Sequence, residues 1–135
     1  MKIKVNKFNN YKEPLRAHYN DAGADVYSTQ DIKLFPHTTV KIPLGFGLNL
    51  PDGMMACVYP RSGLASKGII SNIPPIDSGY TGEIHAIITN TTDNEFIINK
   101  DDRIAQLVVL PIILCDFVED QGEERGNNGF GSSGK

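Results

Sequence analysis

The sequence has no paired cysteines, no run of basic residues and no apolar stretch long enough for a membrane span. Its two cysteines, Cys57 and Cys115, stand far apart without CxxC spacing. Each lies in an apolar run, so both are expected to be small buried hydrophobes in a reducing compartment. Lysine and arginine are scattered singly and the net charge is −3, with a pI near 5.5. That argues against the basic stripe by which proteins hold nucleic-acid polymers, and leaves open a single nucleotide gripped by a local pocket. The first residues, Met1-Lys2-Ile3-Lys4-Val5-Asn6, have no apolar core of the kind a signal peptide needs. The expectation is a soluble protein of the cytoplasm, or of the host cytoplasm if the source is viral, with no membrane partner.

Several catalytic signatures are missing too. There is no G-x-x-x-x-G-K-[ST] and no G-x-G-x-x-G after a strand, so neither P-loop nor Rossmann chemistry is indicated. His18, His37 and His85 are isolated and lack zinc spacing; surface or ordinarily paired histidines are expected. Nothing in the sequence positions a Ser/His/Asp triad.

What is present is a period of two. Val40, Ile42 and Leu44 alternate with Thr39, Lys41 and Pro43, and Phe46, Leu48 and Leu50 continue the pattern after Gly45. Met54, Ala56 and Val58 make another candidate strand, as do Ile84, Ala86 and Ile88. Residues 104–113 are nearly all apolar, as for a strand buried on both faces. Turn signals separate these runs, among them Pro51-Asp52-Gly53, Ser78-Gly79 and Thr92-Asp93-Asn94. Many short strands with frequent turns imply an all-β sandwich, jelly roll or distorted barrel. Only a short helical turn, over Gly63 to Lys67, is expected. With 135 residues and 40% hydrophobic content, the chain makes one domain. The expected division is a β domain over 1–120 and a flexible glycine-rich tail over 121–135.

Five short segments carry chemistry. Asp21-Ala22-Gly23-Ala24-Asp25 precedes an apparent strand, and alone reads as a turn. Pro60-Arg61-Ser62-Gly63-Leu64-Ala65 places Arg and Ser at the start of a helical turn, a natural place for an anion, or equally a capped surface turn. In Ile76-Asp77-Ser78-Gly79-Tyr80 a carboxylate suited to general-base work stands three residues before a tyrosine suited to a sugar face; a simple β-turn would look the same. Gln106 is a polar residue in the longest apolar run, and must be hydrogen-bonded or face a ligand. The tail, Arg125-Gly126-Asn127-Asn128-Gly129-Phe130-Gly131-Ser132-Ser133-Gly134, reads by composition either as a frayed terminus or as a phosphate cradle with a stacking ring.

Taken in order, Asp21 to Ser28, Pro60 to Ala65, Ile76 to Glu83, Arg103 to Val109 and Arg125 to Gly134 resemble the five motifs of the trimeric dUTPase family, across nearly the whole chain. The resemblance implies a jelly-roll-like distorted barrel assembled as a homotrimer, with active sites at subunit interfaces. It implies Mg²⁺-assisted hydrolysis of dUTP to dUMP and pyrophosphate, which limits uracil incorporation into DNA and supplies dUMP. By the same resemblance Asp77 is the general base, and Tyr80 packs under the deoxyribose where a 2′-hydroxyl would clash. Backbone groups around Asn72 to Ile76 read the uracil edge. Arg61, Ser62, Gly63 and Gln106 bind phosphates, and Asp25 lies near the metal and acts through water. In the tail, Arg125 reaches the phosphates, Phe130 stacks on the base, and Gly131, Ser132 and Ser133 wrap the terminal phosphates. One departure is Pro74-Pro75, which stand where the family has glycine and an aliphatic residue and remove two backbone donors.

Two other readings compete. A dCTP deaminase resembles the same fold, but carries a catalytic glutamate on the strand after the third motif; here that strand reads Ile84-His85-Ala86-Ile87-Ile88-Thr89. A dUTPase-like module that regulates by binding a protein partner would have no need of Asp77.

Overall fold

The structure is a computed structural model and describes residues 1–122. Over these residues the chain runs through β1 (Lys4–Lys7), β2 (Ala24–Tyr27), β3 (Ile32–Leu34), β4 (Thr39–Pro43), β5 (Phe46–Asn49) and β6 (Met54–Pro60). Helix α1 (Ser62–Ala65) follows, then β7 (Ile69–Asn72), β8 (His85–Asn90), β9 (Phe96–Ile98) and β10 (Arg103–Pro111). All strand pairs are antiparallel. They make two three-stranded sheets, β2-β10-β6 and β4-β8-β7, and two ribbons, β1-β5 and β3-β9.

Alternation decides which side chains close the core. On β8, Ala86, Ile88 and Asn90 turn inward while His85, Ile87 and Thr89 are half-buried outside. Their inner neighbours across the ladders include Ile42, and with Val26, Leu34, Leu44, Phe46 and Ile98 these residues form one continuous apolar cluster. The buried amide of Asn90 is satisfied on both ends. Its Nδ2 donates to the Leu34 and Asn94 carbonyls at 2.9 and 2.7 Å, and its Oδ1 accepts from Thr92 N and Oγ1. That bonding ties β8 to the β3–β9 ribbon, and lets a polar side chain sit in the core.

Two expectations fail at the end of β10. Residues 104–113 do not form a strand buried on both faces: β10 ends at Pro111, and Val108, Val109 and Leu110 are only half-buried. The ladders explain this. β2 flanks β10 only from Arg103 to Leu107, whereas from Val108 onward β6 is its single neighbour. Beyond Pro111 no strand pairs with the chain among the described residues, and Ile113, Leu114, Phe117 and Val118 are exposed. Cys115 lies in this stretch and is exposed as well, so only Cys57 is the buried cysteine expected. The helical turn is one residue earlier and shorter than expected, with Arg61 rather than a serine at its N-cap.

Candidate active site

The site residues read from the sequence gather in two places. The first is built around Asp25 in the middle of β2. Asp25 pairs with Gln106 on β10, and Gln106 pairs with Tyr59 on β6, so the three side chains share a face. The chain then leaves β6 at Pro60 and turns directly into α1, which brings Arg61, Ser62 and Gly63 to the same edge. A recess of about 290 Å³ results, lined by Asp25, Arg61, Ser62, Gly63, Arg103 and Gln106 together with Ala17, His18 and Asp21.

Its electrostatics are those of an anion site. The Asp25 carboxylate lies 3.7 Å from Arg61 Nε and 3.5 Å from Arg103 Nη1, one negative charge between two positive ones. Arg61 also donates to the Arg103 carbonyl at 3.2 Å, which holds its guanidinium across the recess. A β-bulge between Arg103 and Ala105 breaks the β2–β10 register at this point, a device that re-aims side chains next to sites. The amides that open α1, those of Ser62 and Gly63, have no intrahelical acceptor. Gln106 donates one Nε2 hydrogen to the Pro60 carbonyl at 3.0 Å, and its second has no partner among the described residues. A Cβ built on Gly23 would stand 2.5 Å from Gln106 Oε1, so glycine there leaves room for this amide. Beside it, the Cys57 thiol holds the Tyr59 phenol above its ordinary range, and the phenol stays neutral at physiological pH.

The second group lies on the segment after β7. A recess of about 270 Å³ is lined by Asn72, Pro74, Ile76 and Tyr80, with Lys41, Val58, Glu83, Ile84, His85 and Ile87 completing it. Ile76 is pinned to β6 by a two-way bridge, Ile76 N to Ala56 O at 2.8 Å and Ala56 N to Ile76 O at 3.1 Å. Its backbone is therefore taken, and its side chain is what faces the recess. Asn72 Nδ2 is engaged by the Ile87 carbonyl and Thr89 Oγ1. Pro74 and Pro75 have no N–H, so between the end of β7 and Ile76 the Ile73 N–H is the donor without a partner among the described residues.

Asp77 follows the pinned Ile76, is exposed, and takes no side-chain hydrogen bond from the described residues. Its carbonyl accepts from Tyr80 N at 3.1 Å, closing the turn. The Tyr80 hydroxyl donates to the Glu83 carbonyl at 2.6 Å, which fixes the ring as a flat wall. Gly82 makes that ring position possible, since a Cβ there would meet Tyr80 Oη at 2.9 Å.

A family model described as dUTPase matches residues 9–134. The deoxyuridine 5′-triphosphate nucleotidohydrolase of Gloeobacter violaceus is 43% identical over 129 residues, covering 90% of this chain and 88% of that protein. The Clostridium tetani protein of the same name is 40% identical over 141 residues, covering 100% of this chain and 97% of its own. The chain belongs to the dUTPase family. The solved structure of a Staphylococcus bacteriophage 80alpha dUTPase variant agrees in fold, with a TM-score of 0.87 at 28% identity over 97% of this chain and 98% of that one. A dUTPase of S. aureus phage phi11, described with a structural Mg(II) ion, gives a TM-score of 0.86 at 24% identity, covering 92% and 99%.

Within this dUTPase-family chain the two groups do not meet, and the two recesses share no lining residue. Ile76 is anchored at Ala56, while Arg61 follows Pro60 at the far end of the same strand. Four residues of strand separate the two points by about 13 Å. Arg103, His18 and Asp21 were not foreseen as site residues. For Arg103 and Asp21 the available signal was that each opens one of the five segments; for His18 only the fold reveals it. Arg125, Phe130, Gly131, Ser132 and Ser133 lie outside the described residues.

The donor set fits a hydrated divalent cation and no protein cage for one. Among the described residues no group of three or more His, Cys, Asp or Glu is placed to hold a metal. Mg²⁺ keeps several waters and binds through one or two carboxylates and substrate phosphates. Asp25 offers such a carboxylate, facing the recess between two guanidiniums.

Proposed function

We propose that this chain hydrolyses dUTP to dUMP and pyrophosphate, keeping uracil out of DNA and supplying dUMP. The observation that carries the reading is Asp77: an exposed carboxylate, unbonded among the described residues, that follows a backbone pinned at Ala56 beside a recess lined by Tyr80. Such a carboxylate can orient a water and take its proton as the water attacks the α-phosphorus in line. Tyr80 would pack under the deoxyribose and leave no room for a 2′-hydroxyl. Ile73 N–H and the carbonyls between Asn72 and Ile76 would read the uracil edge and exclude the thymine methyl. Ile76 would contribute its side chain and Asn72 the fixed end of the hairpin.

Pyrophosphate leaves as charge accumulates on its oxygens. Arg61, the Ser62 hydroxyl, the Ser62 and Gly63 amides and the free Gln106 hydrogen would take up that charge. Mg²⁺, bound by the phosphates and reached by Asp25 through water, would supply further neutralisation. Because the two recesses are separate in one chain, a complete site needs residues of a second copy, which supports the homotrimer. The segment 121–135 would then close over the nucleotide, with Arg125 on phosphate, Phe130 on the base, and Gly131, Ser132 and Ser133 around the terminal phosphates.

The test is Asp77→Asn. This variant is expected to bind a non-hydrolysable dUTP analogue as the wild type does, with turnover reduced by about 10²–10⁴-fold. Near-normal turnover would move the base elsewhere.

A further inference from the structure

His18 and Asp21 add a titratable pair to the recess that Arg61, Ser62 and Gln106 line. The pair sits on the loop before β2, and the loop's course is set by a bridge to that strand: Leu15 N donates to Asp25 O at 3.1 Å and Asp25 N to Leu15 O at 2.8 Å. Asp21 grips His18 twice. One carboxylate oxygen accepts the His18 backbone N–H at 2.9 Å and lies 3.2 Å from ring Nδ1. Arg16 Nε in turn donates to the Asp21 carbonyl at 2.8 Å, fixing the loop from outside. The ring's other nitrogen, Nε2, has no partner among the described residues.

The consequence is chemical. With Nδ1–H directed at Asp21, a neutral ring presents Nε2 as a lone pair, which a phosphate oxygen avoids. Once protonated, the same nitrogen is a charged donor suited to that oxygen. The charged groups that line the recess with His18 are Asp21 on its own loop, Asp25 of β2, Arg61 beyond β6 and Arg103 of β10, and Arg16 bonds the loop itself. We propose that His18, oriented by Asp21, is a further phosphate-binding residue, and that it binds the pyrophosphate end of the substrate only when protonated. This rests on the dUTP reading of the same site. A contact that needs the charged ring would hold dUTP more tightly at lower pH than at higher pH.

His18 is 79% exposed and makes no core contact, so His18→Gln will fold. Its kinetics with dUTP and Mg²⁺ are to be compared with the wild type at pH 6 and pH 8. At pH 6 its KM should be about fivefold higher, the scale of one partly exposed charge-assisted hydrogen bond, with kcat unchanged. At pH 8 the two proteins should coincide. Inhibition by inorganic pyrophosphate should weaken in the variant at pH 6 by a similar factor, while inhibition by dUMP stays the same. Equal KM at both pH values, or an equal loss at both, overturns the inference. A wild type that does not hydrolyse dUTP defeats the functional reading instead. A calorimetric titration of both proteins with pyrophosphate at the two pH values then decides on His18 alone, and identical affinities there reject it.

Discussion

At the scale of the residue, the site is governed by what small side chains permit. Tyr80 can lie flat against Glu83 only because position 82 carries no Cβ, and Gln106 reaches Pro60 only because Gly23 leaves it room. Gly82→Ala puts a methyl 2.9 Å from the Tyr80 hydroxyl and 3.0 Å from its ring carbon Cζ. The ring must swing off the Glu83 carbonyl, and a misplacement of about 1 Å at a reacting site can cost about a hundredfold. We expect Gly82→Ala to keep its thermal stability, lose ten- to a hundredfold in kcat/KM for dUTP, and discriminate less well against UTP. Steady-state rates on both nucleotides measure it; unchanged discrimination would mean that Tyr80 does not read the sugar. Residues such as Asp25, Arg61 and Asp77 could be singled out as candidates in the sequence because each sits in a short segment with its own chemistry, and the fold sets Asp25 and Arg61 on one recess. His18 could not, since an isolated histidine in a polar loop carries no local sign of what the fold sets opposite it.

At the scale of the element, alternation is what the sequence reveals and length is what limits it. β4, β5, β6 and β8 appear as apolar positions at period two, and the chain forms strands there. β3 and β9 hold three residues each and β1 reads Lys-Val-Asn-Lys, too short or too polar to show a period. They become strands because each finds a partner, β1 on β5 and β3 on β9, information that resides in tertiary contacts. β10 shows the converse. Its apolar run promised burial on both faces, but only its first half lies between two strands. Phe46 tests how much the core depends on these elements, being fully buried at the head of β5 in the common cluster. Phe46→Ala should destabilise the fold by about 3–5 kcal/mol and lower Tm by at least about 10 °C. A change of only a degree or two by calorimetry would show that the cluster is not the cooperative core described here.

At the scale of the whole molecule, the division of the candidate site residues between two separate recesses, one reached from Ala56 within β6 and one at its Pro60 end, is the main finding. Sequence order could not reveal it, because neighbouring motifs can face a shared cleft or opposite edges with identical spacing. Subunit complementation tests it. Asp77→Asn alters only the carboxylate beside the Tyr80 recess, and Arg61→Gln only the recess around Asp25. Each variant alone should be nearly inactive. Mixed, unfolded and refolded together, they should regain a substantial fraction of wild-type activity, because some mixed sites draw an intact Asp77 from one copy and an intact Arg61 from another. No recovery beyond the sum of the separate variants would place both residues of a site in one chain.

The central claim is the substrate. Purified protein with Mg²⁺ should release pyrophosphate from dUTP at a rate far above those from dTTP, dCTP and UTP at the same concentration. On the proposed reading, the Asn72–Ile76 hairpin would reject the methyl and amino groups of the other bases, and Tyr80 would bar the 2′-hydroxyl. No release from dUTP, or equal release from dTTP and UTP, would contradict the account.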